Sequence, residues 1–123
     1  MSSLALRRLL DVHGVLGAFT SAPSGELMLS DMPEGHARVA LEATAVRLGN
    51  LFQSADETLS ESRAISLCFA EHQLHARRYT GGLLCVLTAS AYDRVELGVV
   101  TGRVLDELRL QLGGQTASNQ TGR

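Results

Sequence analysis

The side chains able to do chemistry crowd into residues 63–78. Cys68, His72 and His75 are all metal-ligand types. Their spacing fits no zinc template, however, and a histidine at a hairpin turn is ordinarily just solvated. Arg63, Arg77 and Arg78 gather positive charge in the same stretch. One use for such charge is an arginine finger, which stabilises the transition state of GTP hydrolysis. The simpler use, and the favoured one, is a solvated strand face or an ion pair. No serine stands in a Gly-x-Ser-x-Gly elbow, and no serine or cysteine has an evident histidine and acid to activate it. Carboxylates stand singly apart from Asp56-Glu57 and Asp106-Glu107, which read as solvated ends or faces. The chain has no lysine, hence no Gly-x-x-x-x-Gly-Lys-Ser/Thr phosphate loop. These residues predict no catalytic group, no metal and no cofactor.

The composition is that of one globular domain: 123 residues, 45% apolar and 20% charged. Net charge is −2, from 11 basic and 13 acidic groups, so there is no basic stripe to hold nucleic acid. The start of the chain has no signal-peptide pattern. Its longest apolar run, Leu83 to Leu87 with neighbours, is far short of the roughly 20 residues of a membrane helix. A cytoplasmic protein with no membrane insertion is the expectation. Cys68 and Cys85 both lie in apolar, strand-like runs and are expected to be buried thiols rather than a disulfide.

Periodicity supplies the elements that would position these residues. Leu4 to Val12 reads as a short helix ended by His13-Gly14. Val15–Thr20 and Glu26–Ser30 read as strands around the turn Ala22-Pro23-Ser24-Gly25. A long helix runs from His36 to about Asp56. Three strands follow, Arg63–Ala70, Leu74–Thr80 and Leu83–Leu87, the last apolar on both faces and therefore central. A final helix begins near Asp93, capped by Ser90 or Asp93, and runs to about Leu112. Residues 1–112 then form one domain and 113–123 a disordered tail. The fold class is α/β (α+β): a five-stranded antiparallel sheet sandwiched by helices, in the order α-β-β-α-β-β-β-α.

The long helix carries the most information. Set out at about 100° per residue, Ala37, Ala40, Leu41, Leu48, Leu51, Phe52 and Ala55 form a broad apolar stripe. Val39, Ala43 and Val46 form a narrower seam almost opposite, with Arg38, Glu42 and Gln53 on one flank and Arg47 on the other. A surface helix needs one apolar stripe, so this one is expected to be covered twice. The economical second cover is another copy of the chain. In the last helix Gly98-Val99-Val100-Thr101-Gly102 reads as close packing on the sheet, since flanking charges rule against a membrane pair.

Gly14-Val15-Leu16-Gly17-Ala18-Phe19, the Gly25-Glu26 turn, the long alanine-rich helix and Gly81-Gly82-Leu83-Leu84-Cys85-Val86-Leu87 together resemble the Roadblock (dynein light chain) domain, in its compact bacterial MglB-like form. The resemblance spans Leu4 to about Leu112. It implies a homodimer made by pairing the third strands edge to edge and packing the long helices together. Val39, Ala43, Val46, Arg63, Ile65, Leu67 and Phe69 are the corresponding interface candidates. It also implies a non-catalytic regulator or scaffold of a Ras-like small GTPase, with a GTPase-activating role as one form of it. Arg38, Glu42, Arg47 and Gln53, flanking the seam, are the candidates for contact with that partner. The alternative is a ligand-binding sensory module of profilin-like or PAS-like fold, which would need an internal pocket.

Overall fold

A strand that is apolar on both sides must lie between two layers, and Gly82–Ala89 does so. The computed structural model describes residues 4–58 and 64–121, with side chains to Asp56 in the first stretch and to Leu110 in the second. The elements are α1 (Leu4–Leu10), β1 (Val15–Ser21), β2 (Leu27–Asp31), α2 (Arg38–Thr58), β3 (Ala64–Cys68), β4 (His72–Tyr79), β5 (Gly82–Ala89) and α3 (Arg94–Thr121). The strands form one antiparallel sheet in the order β2-β1-β5-β4-β3. This is the α+β architecture and element order that the sequence predicts.

Alternation along the strands divides the core in two. Leu84 and Val86 of β5 and Ala18 of β1 face α1 and α3, where Leu6, Leu9, Leu97, Val104 and Leu108 close over them. Leu83, Cys85 and Leu87 of β5, Phe19 of β1 and Leu74 of β4 face the other way, toward Leu41, Ala45, Leu48 and Phe52 of α2. Register locks this division, for Phe19 stands opposite Cys85 and Ala18 opposite Val86. A slip by one residue would exchange the two cores. Gly82 is required where β5 begins. Its φ is +136°, and a Cβ there would lie 1.8 Å from the Ser21 carbonyl oxygen.

Several elements differ in detail from expectation. The buried stripe of α2 is Leu41, Ala45, Leu48 and Phe52, whereas Ala37, Ala40 and Leu51 of the expected stripe are exposed. The helix crosses the sheet along a line, so only one residue per turn reaches it. β3 ends at Cys68, before Phe69 and Ala70. Cys68 is exposed, not buried, because it lies on the face of the edge strand that α3 leaves uncovered. Gly98 is also exposed, and a Cβ at Gly98 or Gly102 would meet nothing within 4 Å. The pair therefore does not mark close packing. α3 begins after Asp93, whose carboxylate accepts the Glu96 N–H at 2.9 Å. Its backbone continues to Thr121, beyond Leu112. A glycine pair such as Gly113-Gly114 costs a helix about 2 kcal/mol and does not oblige it to stop.

Candidate functional site

The face that α2 turns to solvent carries the seam. Val39 is 77% and Val46 47% exposed, and Ala43 lies open between them. Val46 also packs over the β1–β2 turn, where Gly25 has φ +97° and a Cβ would fall 2.5 Å from the Val46 side chain. The turn needs glycine for its dihedral and for that close approach. Seam and turn are thus one surface.

β3, bounding the sheet on one side, is the second part of the site. Among the described residues no strand lies beyond it, and such an edge is a template for another strand. Ile65 and Leu67 reach inward and are partly buried against the α2-side core. Phe69 lies just past the strand, 51% exposed, stacked on His72 with ring centroids 5.1 Å apart. Arg63 falls outside the described residues.

Between α2 and β3 runs a groove of about 350 Å³, with Leu41, Leu48 and Leu74 in its wall and Leu51, Phe69 and His72 near its mouth. Arg47, predicted as a partner contact, lines this groove together with Leu67 and Phe69, predicted as dimer contacts. Leu51 and His72 belong to the same surface. Leu51 was assigned to the core stripe by periodicity, and no sequence signal set His72 beside Phe69 except the turn that joins them.

The other flanking residues are engaged within the chain. The Leu27 N–H donates to Glu42 Oε2 at 2.8 Å, and Arg38 donates to the Leu27 carbonyl at 3.4 Å and to Glu42 at 3.3 Å. Arg38 and Glu42 thus clasp the outward peptide groups at the start of β2, the opposite edge of the sheet. Gln53 lines a separate cavity of about 230 Å³ beside Arg78. Arg78 itself forks onto Asp56 at 2.8 and 3.0 Å, the ion pair favoured over an arginine finger.

On the opposite face of the sheet, His75 is held by Ser66 Oγ on Nδ1 (2.9 Å) and Thr88 Oγ1 on Nε2 (3.1 Å). Burial, aided by the nearby Arg94 charge, pushes its pKa below the usual histidine value. Its ring is hydrogen-bonded on both nitrogens. Among the described residues, no group of three or more His, Cys, Asp or Glu is arranged to hold a metal ion. No helix among them is long and apolar enough to cross a membrane.

No family model matches the chain, and no curated protein matches it. Solved structures do. A Roadblock/LC7 domain from Streptomyces avermitilis superposes with a TM-score of 0.75 at 16% identity, over 88% of this chain and 94% of that one. Myxococcus xanthus MglB gives 0.77 at 15% identity, over 89% and 86%. Myxococcus xanthus MglC gives 0.59 at 16% identity, over 87% and 95%. What the chain shares with these proteins is the whole arrangement of sheet and helices, and its fold is that of the Roadblock/LC7 domains.

Proposed function

We propose that the chain is a non-catalytic, homodimeric regulator or scaffold of a Ras-like small GTPase. The observation that supports the dimer is an apolar seam left exposed on α2, beside the β1–β2 turn, in a sheet with no strand beyond β3 among the described residues. The Roadblock resemblance implies a two-fold pairing of β3 with β3 and of the long helices with each other, and Val39, Ala43 and Val46 are the candidates we carry for the helix contact. The small side chains of that seam suit close helix approach. The neighbouring fold adds support, since one similar structure is MglB with a tetrameric arrangement. The GTPase partner rests on the Roadblock resemblance and on the chain's lack of a phosphate loop. The α2–β3 groove, bordered by Arg47 and the exposed Leu51 and Phe69, is the surface we assign to it. Because this groove opens at those exposed side chains, it suits docking better than enclosure of a small ligand.

Light scattering on the wild type and on Val39→Glu/Val46→Glu tests the assembly. The wild type is expected at twice the chain mass and the folded variant at the chain mass. A monomeric wild type would refute the reading. Once the dimer stands, Arg47→Glu/Leu51→Glu tests the partner surface. It should leave the dimer intact and abolish any change in GTP hydrolysis by a Ras-like GTPase from the same genome.

A further inference from the structure

The sheet face opposite α2 is only partly covered. α1 and α3 close over β1 and β5, and beyond α3 the faces of β4 and β3 form the floor of a furrow. Two adjoining cavities, of about 610 and 210 Å³, share Ser66, His75, Tyr92 and Arg94. They form one continuous trough along β3, a strand of 5 residues and hence roughly 17 Å long. That length matches a short stretch of extended polypeptide.

The furrow is cationic in a chain whose net charge is −2. Arg77 lines one end and Arg94 the middle. Among the described residues neither has an ion-pair partner, as is also true of Arg47 and Arg103 elsewhere, whereas Arg7, Arg8, Arg38, Arg78 and Arg109 all do. The carboxylate that lines the trough, Asp93, is engaged in capping α3. The remaining polar lining supplies hydroxyls and amides: Ser66 and Gln73 on the floor, Thr101 on the α3 wall. Gly98 also lines this wall, where a Cβ would meet nothing, so its absence keeps the trough wide. Guanidinium forks and hydroxyl donors in one open channel are complementary to carboxylates.

We propose that this furrow docks a short acidic segment of a partner polypeptide, its carboxylates received by Arg77 and Arg94. The site lies on the face away from α2 and its groove, so it does not rest on the GTPase reading.

The test uses the full chain and a fluorescein-labelled hexaglutamate peptide, read by anisotropy at low ionic strength. The wild type is expected to bind, and Arg77→Glu/Arg94→Glu to bind at least about tenfold more weakly. Arg103→Glu/Arg109→Glu makes the same change in net charge outside the furrow and is expected to bind within about twofold of wild type. Equal losses in the two variants would mean diffuse attraction and overturn the proposal. Failure of the wild type to bind would do the same. Inorganic phosphate binding as tightly as the peptide would make this a small-anion site and also overturn it. Should Arg77→Glu/Arg94→Glu fail to fold, amide shifts in the wild type decide. Peptide-induced shifts at Ser66, His75 and Thr101 support the furrow, and shifts confined to α2 refute it.

Discussion

Cys68 and Cys85 occupy similar apolar runs of sequence and opposite environments. Cys85 is in the central strand, buried on the α2 side, and burial pushes its thiol from its ordinary 9.0 up to about 12. Cys68 is exposed on the edge strand. A disulfide reagent at neutral pH should therefore modify one thiol quickly, and Cys68→Ser should abolish that phase. The second thiol should react only as fast as the protein opens. Two fast thiols would contradict the buried position of Cys85. Its raised pKa also fixes a sign. Above pH 9.0 the unfolded chain loses a proton that the folded chain keeps until about 12, so this contribution to stability is lost as pH rises through that window. Denaturant titrations between about pH 8 and 10 should show a shallower alkaline decline in Cys85→Ala than in wild type. Identical slopes would mean that Cys85 does not carry the effect. Sequence alone treated the two cysteines alike because an apolar run identifies a strand but not its place in the sheet. That place depends on which strands lie beside it and on how far α3 reaches.

The helix α2 shows both what periodicity reveals and what it misses. Val39, Ala43 and Val46 were legible as a second seam because nothing in their own turn of helix explains them. The clasp of Arg38 and Glu42 on Leu27 was not legible, since it joins residues distant in sequence that only the folded chain brings together. Periodicity set that pair on one flank of the seam, as candidates for contact with a partner. The same holds at the far end of the helix. Arg78 reaches from β4 to grip the last turns of α2 through Asp56, donates to the Phe52 carbonyl at 3.3 Å, and lies 4.6 Å over the Phe52 ring. Because the charge pair is partly buried and bidentate, Arg78→Ala should destabilise the fold by about 1–3 kcal/mol. Arg78→Lys should restore only part of this, because an ammonium keeps the charge but not the fork. Chemical denaturation of the two variants is the measurement. A loss below about 0.5 kcal/mol in Arg78→Ala would make the clamp an idle surface pair.

At the scale of the whole molecule, the two edges of the sheet are treated differently, and that difference determines how copies can assemble. A sheet with two open edges can add strands on both sides and grow without limit. Here no strand lies beyond β3 among the described residues, while β2 is a strand of 5 residues whose first outward N–H and C=O are taken by Glu42 and Arg38. One open edge per chain allows a single pairing, so an assembly through β3 closes at two. The clasp side chains then act by keeping the second edge shut, beyond the about 1–2 kcal/mol their hydrogen bonds contribute to each chain. Arg38→Ala/Glu42→Ala should uncover the Leu27 peptide and let dimers add to one another through β2. Light scattering across a concentration series should then find a wild-type mass fixed at two chains and a variant mass that climbs with concentration. The same variant carrying Val39→Glu/Val46→Glu as well should lose the dimer and grow no further than short oligomers. A double variant that stays at two chains at every concentration would show that the clasp serves only the stability of the monomer and that shape alone closes the β2 edge.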